Sequence, residues 1–553
     1  MNPRPPDPPG SASRPWVIIG ASAAVFVIAL GLRAGFARGL AGPLDNDATD
    51  YLLVARNLAQ GRGFVEDVVG YYHPPPAAVT HPSHDHWMPL ITILIAASIS
   101  LLGNSFFAAQ LPNLILGAAV PVVGMAVARE LGARPRYALL TGILMAAGPR
   151  LVYYSLDTEA VMPYAFFGGL AFVGAVRGAA GKPAWLAGSG MAAGLCYLSR
   201  NDGSLWVPAF VGVYLLSLRD RSRPQARLRH WLGAAAGYLL VTAPWLARNY
   251  AAFGSLFPPG MSNVMFYQNY TDVYNFEKVA SLHTYLAQGA AAIVKSKAVA
   301  LVGVLRGIGQ DGVIHWALFP PAILGIALAA PLARRVILVH LAVVALVWAL
   351  LMDVLAGPFG GTIRTMMLLA MYLVPTAMLG LDRLEQWMQR RLPLPQLVFP
   401  ALVLLFSLHL ASFSWKGKAK LNQFSREEWN YFHKLGQLLK QASPPQPTVM
   451  SFRPWQLNAA ENLPAVSIPS DGLSAILAAS RKYRVEFLVL ENYWIRDELG
   501  YRAEAAYLTR LDQEFQATGE TRDPDFIPYG RVGDALIFRL APAQTQSEPK
   551  PSP

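Results

Sequence analysis

Apolar runs long enough to cross a bilayer recur along this chain, each closed by a short turn, and that recurrence constrains its fold most. In hydrocarbon every backbone N–H and C=O must be bonded within the segment, so such runs are helices. A spanning helix needs roughly 20 mostly apolar residues, with a range of about 17 to 25. Runs fitting this description lie at 16–32, 106–128, 137–153, 160–176, 184–200, 203–218, 231–247, 313–333, 336–356, 363–381 and 393–412. The chain is 54% hydrophobic and only 14% charged, where a soluble domain is about a quarter charged. It therefore reads as a polytopic α-helical membrane protein.

Charge sets the orientation. The turns "RELGARPR" (129–136), "RDRSRPQARLRH" (219–230), "ARRV" (333–336) and "DRLEQWMQRRLP" (382–393) are rich in arginine and belong on the cytoplasmic side. All four fall there if the N-terminus is inside and "MPLITILIAASISLLG" (88–103) lies at the outer interface without spanning. This gives eleven spans with the C-terminus outside. Two long loops (33–105 and 248–312) and the short segments "YYSLDTEA" (153–160), "SRND" (199–202) and "GPFGGTIR" (357–364) share that outer side. Within the second loop, 285–307 carries Lys295 and Lys297 and reads as an interfacial amphipathic helix. The formal charge of +12 is explained by turn arginines, so a nucleic-acid partner is not expected. Cys196 is the sole cysteine, which excludes an internal disulfide and a Cys-based metal site.

The organisation expected is a disordered cytoplasmic tail (1–15), a transmembrane domain (16–412), an external domain (413–545) and a second disordered tail (546–553). Strands are predicted at 447–452, 464–468, 485–491 and 534–540, and helices at 425–441, 471–482 and 503–516. Alternation of strand and helix predicts a small extracytoplasmic α/β domain.

Three carboxylates crowd into "LDNDATDY" just after the first apolar run: Asp45, Asp47 and Asp50. The following residues Tyr51, Val54, Ala55 and Leu58 share one helical face, and Asp47 or Thr49 is placed as the N-cap of this helix. On spacing alone the capping role comes before a catalytic one, and Asp50 reads as a lone surface charge. Four histidines (His73, His81, His84, His86) and Asp85 crowd "YYHPPPAAVTHPSHDHW". His84, Asp85 and His86 suit hydrogen bonding to sugar or phosphate; the set would suit zinc by residue type but matches no standard metal spacing.

The first span followed by "LDNDATDYLLVARNLAQGRGF" resembles the GT-C glycosyltransferases, and more narrowly the bacterial enzymes related to protein O-mannosyltransferases and to the lipid A aminoarabinose transferase. "WMPLITILIAASISLLG", "YYSLDTEAVMPYAF", "YLSRNDG", "PWLARNYAAFGSLFP" and "KYRVEFLVLE" resemble further family features in the same order. The resemblance implies transfer of a sugar, with inversion, from a polyprenyl-phosphate carrier to an acceptor glycan, lipid or protein on the outer face of a bacterial plasma membrane. It places Asp47 at the catalytic base and Glu159, with Asp157, at a second acidic motif that orients hydroxyls or shares a cation with Asp47. Many relatives carry Glu directly after that aspartate where this chain has Ala48, with Asp50 the alternative stand-in for it in space, so a divalent metal stays open and no cofactor is assigned. Tyr51, His84, Asp85 and His86 are candidates for substrate contact. Arg200, Arg248 and Arg364 stand at outer ends of spans and are candidates for the departing phosphate, since a guanidinium fork matches phosphate oxygens. The alternative reading is a polytopic transporter or lipid flippase, and a non-catalytic scaffold is a third.

Overall fold

The computed structural model describes residues 15–72, 74–218, 228–258, 260, 263–310, 314–351, 362–392, 395–443, 446–491, 502–520 and 522–541. Both disordered tails foreseen from sequence, His73, most of the 219–230 turn and most of 357–364 lie outside these residues. The chain divides into two compact units. One comprises residues 1–39, 87–251 and 295–420; the other comprises 40–86, 252–294 and 421–553.

The first unit is helical. Its labelled helices are α1 (Pro15–Ala37), α3 (Leu90–Leu102), α4 (Phe106–Leu131), α5 (Pro135–Ala147), α6 (Pro149–Ser155), α7 (Val161–Ala179), α8 (Pro183–Ser199), α9 (Trp206–Leu218) and α10 (Leu228–Phe253). Helices Phe319–Leu328, Pro331–Leu350, Thr362–Gln389 and the apolar half of Val398–Ala442 follow. Among the described residues six helices are both long and apolar enough to cross a membrane, beginning at Trp16, Phe106, Val161, Pro331, Arg364 and Val398. The other five expected spans are altered for identifiable reasons. The 137–153 run breaks between α5 and α6 at Gly148–Pro149, and 313–333 breaks between Leu328 and Pro331; proline lacks the N–H that would continue the ladder. Helices α8 and α9 have 17 and 13 residues, and α10, of 26 residues, carries Pro244 inside it. Helix α3 has 13 residues, about 20 Å at ~1.5 Å per residue, short of a hydrocarbon core of about 30 Å.

Small residues allow these helices to approach closely, as apolar side chains gain little from one another in lipid. A Cβ on Gly325 would meet the Thr376 carbonyl oxygen at 1.8 Å, and one on Gly380 the Pro321 carbonyl oxygen at 1.9 Å. Gly190 meets the Ala234 carbonyl of α10 in the same way. At one end of the bundle Asp382 and Glu385 are buried against Arg134 and Arg136, with the Arg134 backbone N–H donating to Asp382 at 2.9 Å.

The second unit is built on a six-stranded sheet in the order β2-β5-β4-β6-β8-β7: Val68–Val69, Ala465–Ser467, Thr448–Ser451, Val485–Leu490, Ala535–Leu540 and Phe526–Val532. The first four strands run parallel, and β8 and β7 close it antiparallel. Parallel strands are covered on both faces, which explains the unbroken apolar run "VEFLVL". Leu488, Met450 and Val466 face one core with Ile476 and Leu508, whereas Phe487, Val489 and Val449 face another with Phe432, Leu435 and Leu439. The edge strand β2 comes from the first long loop, not from the C-terminal segment. A hairpin of β1 (Val65–Glu66) and β3 (His81–Pro82) and helix α2 (Asn46–Ala59) complete this part.

Gly325→Ala should force the helix Phe319–Leu328 away from its neighbour and cost about 1–3 kcal/mol of overpacking. A lowered unfolding midpoint of the detergent-solubilised chain would register this, while Gly188→Ala, with no atom near its Cβ position, should leave the midpoint unchanged.

Candidate active site

In the membrane unit the second acidic motif is held from below by two polar residues of α4. The Asn113 side-chain N–H donates to the carbonyl oxygens of both Asp157 and Glu159, each at 2.6 Å, and Gln110 donates to that of Leu156. Arg33 of α1, fully buried, donates through Nε to Ser155 Oγ at 3.0 Å and through Nη1 to the Ala29 and Ala146 carbonyls. Asp157 turns its carboxylate back on the Thr158 N–H at 2.8 Å. Glu159, buried, forms an ion pair with Arg364, Nε to Oε1 at 2.6 Å.

Arg200 joins this neighbourhood, close enough to feel both the Glu159 carboxylate and the Arg364 guanidinium. It pairs with Asp202 at 3.1 Å, lies 5.7 Å from the Tyr164 ring centre, and Thr365 donates to the other Asp202 oxygen. Arg248 instead places its guanidinium 4.8 Å from the Trp245 ring centre on its own helix and donates to Asn249. Of the three expected phosphate candidates, the structure groups Arg200 and Arg364 with Glu159.

In the α/β unit helix α2 begins earlier than the sequence suggested. Its N-cap is Asp45, whose carboxylate accepts from the Ala48 N–H at 2.8 Å, and Thr49 Oγ1 donates to the Asp45 carbonyl at 2.6 Å. Neither Asp47 nor Thr49 is the cap. Asp47 sits in the first turn, half-buried. Asp50, expected at the surface, is fully buried and faces Glu66 of β1. Burial drives its carboxyl well above the ordinary range, and the neighbouring Glu66, Asp47 and Asp85 charges push the same way.

The remaining candidates divide. Tyr51 and His84 are buried against one another with ring centres 6.0 Å apart, and His84 adopts a positive φ of 63°. Asp85 accepts from His86 Nδ1 at 2.8 Å. Burial alone would raise Asp85, but the charge and hydrogen bond of His86, together with His81, hold it below the usual carboxylate range. His86 also packs on Tyr71 at 4.7 Å, and Tyr71 in turn meets Tyr274 and Trp455. Gly70 makes room for Trp455, since a Cβ there would lie 1.9 Å from its ring. Among the described residues no group of three or more His, Cys, Asp or Glu is disposed to hold a metal ion.

Sequence reasoning did not find Gln110, Asn113, Glu66, Tyr71 or Asp202. The signal for the first two was present: polar residues three apart on an apolar helix are costly unless they bond something.

Residues 80–247 match the family described as dolichyl-phosphate-mannose-protein mannosyltransferase. No curated protein sequence matches the chain. Among solved structures it is similar to ArnT from Cupriavidus metallidurans bound to undecaprenyl phosphate: 15% identity over 96% of this chain and 98% of that one, TM-score 0.55. It is also similar to the archaeal oligosaccharyltransferase AglB from Archaeoglobus fulgidus, in complex with an inhibitory peptide and a dolichol-phosphate. There the identity is 14% over 96% and 75% of the two chains, with TM-score 0.56. The chain shares the fold of these solved structures: a helical part, with six helices among the described residues long and apolar enough to cross a membrane, and an α/β portion.

Removing the cap by Asp45→Ala should destabilise the chain by about 1 kcal/mol, whereas Asp47→Asn should not lower the thermal midpoint. Melting curves of the two purified variants against wild type decide the assignment of the cap.

Proposed function

We propose that this chain is a membrane glycosyltransferase that passes a sugar from a polyprenyl-phosphate carrier to an acceptor on the extracytoplasmic face of a bacterial plasma membrane. The observation that carries this reading is the ion pair of buried Glu159 with half-buried Arg364, with Arg200 beside it. Two guanidiniums stand at the end of membrane helices, each paired through Nε with a carboxylate: Arg364 with Glu159 and Arg200 with Asp202. The fork geometry of guanidinium N–H groups suits the oxygens of a lipid-linked phosphate. The fold shared with an enzyme whose structure holds undecaprenyl phosphate supports the same donor class.

The reaction then runs as follows. An acceptor O–H or N–H attacks the anomeric carbon, and the bond from that carbon to the phosphate oxygen breaks with its electron pair leaving on phosphate. A single displacement inverts the anomeric centre. Asp47 takes the acceptor proton as general base, a task worth typically 10²–10⁴-fold. Arg364 and Arg200 stabilise the charge that develops on the departing phosphate. Glu159 keeps Arg364 aimed before the donor arrives, and Asp157 belongs to the turn that presents Glu159. His86 and Asp85, hydrogen-bonded and half-buried, are suited to sugar hydroxyls; Tyr51 and His84 lie behind them as packing that shapes that loop. Arg248 packs on Trp245 of its own helix and serves the membrane boundary.

In membranes, Asp47→Asn should cut sugar transfer by about 10²–10⁴-fold without loss of folded protein. Mass spectrometry of envelope glycans, lipids and proteins from cells carrying wild type, Asp47→Asn or no copy would show one sugar missing in the latter two. Wild-type glycan from a normally expressed Asp47→Asn variant would overturn the base assignment. Movement of a lipid with no covalent product would favour a flippase.

A further inference from the structure

Behind Asp47 the α/β unit buries a second set of titratable groups that the proposed reaction does not use. Asp50 lies one helical turn after Asp47 on α2, a spacing that puts the two on neighbouring positions of one face. It is 0% exposed, and among the described residues neither of its oxygens has a conventional N–H or O–H donor. Its carboxyl faces that of Glu66, itself buried. Two ionised carboxylates are both acceptors only, so their contact is bonded only when one proton lies between them. Glu66 continues the contact on its other side: its Oε1 lies 3.1 Å from His81 Nε2, across the β1–β3 pairing that sets Glu66 opposite His81. His81 Nδ1 lies 2.8 Å from the Val79 carbonyl oxygen, which only accepts, so Nδ1 carries its hydrogen. Nε2 then either donates to an ionised Glu66 or accepts from a protonated one. The hydrogen bonds survive either way, with the proton at a different place.

We propose that Asp50, Glu66 and His81 form a buried proton-sharing chain that takes up the proton Asp47 removes from the acceptor and returns it to solvent through His81. The proposal rests on the reading of Asp47 as base. The proton balance is simple: Asp47 gains one proton from the attacking hydroxyl or amine, the chain accepts it and delivers one to His81 Nε2, and the half-buried His81 releases its Nδ1 proton as the bond to the Val79 carbonyl opens. The charged and titratable groups that face Asp50 are Glu66, Asp47 and Asp85; those that face His81 are Glu66, Asp85, Asp50 and Asp67. Burial lowers the proton affinity of His81, which suits a group that must give its proton up. Asp50, by contrast, holds its proton more tightly folded than unfolded. Above the ordinary carboxylate range the unfolded state therefore binds fewer protons than the native state, and stability falls as pH rises.

Two measurements on the purified full-length chain test the chain itself. Infrared spectra at neutral pH should show a protonated-carboxyl band that Asp50→Asn removes and Asp47→Asn leaves in place. Asp50→Asn, which keeps a donor toward Glu66, should also raise the thermal midpoint more at high pH than at low. Absence of the band, or its persistence in Asp50→Asn, overturns the shared proton. The uptake role is tested in membrane vesicles with their endogenous lipid-linked donor. Asp50→Asn and His81→Gln should slow repeated turnover by about tenfold or more, and added imidazole buffer should restore it. Asp47→Asn should stay inactive in the same buffer. Full turnover in both chain variants overturns proton uptake while leaving the base reading intact. Full activity of Asp47→Asn overturns the base reading, and the infrared result then stands alone.

Discussion

Irregular backbone at the end of a membrane helix must find hydrogen bonds that water cannot be relied on to supply. The Leu156–Ala160 turn finds them in α4. Asn113 holds the Asp157 and Glu159 carbonyls together, Gln110 holds that of Leu156, and Arg33 secures Ser155 one residue earlier. Gly117, one turn beyond Asn113, allows this approach, since a Cβ there would lie 2.1 Å from Ser155 Oγ. With its backbone fixed, the turn has little freedom left in which to place Glu159. The Arg364 pair is thus a product of packing among α1, α4, α7 and the helix Thr362–Gln389, and it does not depend on one flexible ion pair at a surface.

The α/β unit treats its carboxylates in the opposite manner. Three aspartates within six residues of chain acquire three environments. Asp45 spends its carboxylate on the helix terminus, Asp47 lies in the first turn, and Asp50 is buried against Glu66. The surrounding loops are tied down as well. Asp471 accepts from three successive backbone N–H groups, those of Phe276, Glu277 and Lys278, at 2.7 to 3.1 Å. Ser470 binds the Thr271 carbonyl and Asn275. The second long loop therefore presents Tyr274 to Tyr71 from a fixed segment.

Much of this was legible beforehand, for reasons that differ by element. Strands β4, β5, β6 and β8 fall within the predicted runs because a doubly covered sheet needs continuous apolar sequence. Strand β7 was missed: "FIPYGRV" alternates exposure, carries a proline and a glycine, and lies on an edge. Strand β2 has two residues and could not announce itself. The site was legible as residue types and in part as groupings; Arg200, Arg364 and Glu159 are brought near one another. What composition could not give was which aspartate caps α2, because a shift of two residues in the helix start exchanges the roles of Asp45 and Asp47. Nor could it show Asp50 buried, since Glu66 and His81 meet it only through the β1–β3 pairing.

The arginine-rich turns illustrate how one residue can satisfy two demands. By sequence Arg134 and Arg136 are topology signals, for which acidic neighbours count little. In the folded unit they are also structural, binding Asp382 and Glu385 so closely that both carboxylates are buried. Arg383 donates in return to the Gly132 carbonyl at 3.0 Å. Breaking one member of such a network leaves a buried charge, a loss of about 3–5 kcal/mol. The turn between α4 and α5 is therefore held twice: by the pairs with Asp382 and Glu385, and by the Leu131 carbonyl that accepts from Ala330 at 3.0 Å. Rigidity at that end of α4 is what lets its other end act as a clamp. A helix whose Asn113 must meet two carbonyls at 2.6 Å has no use for axial slack.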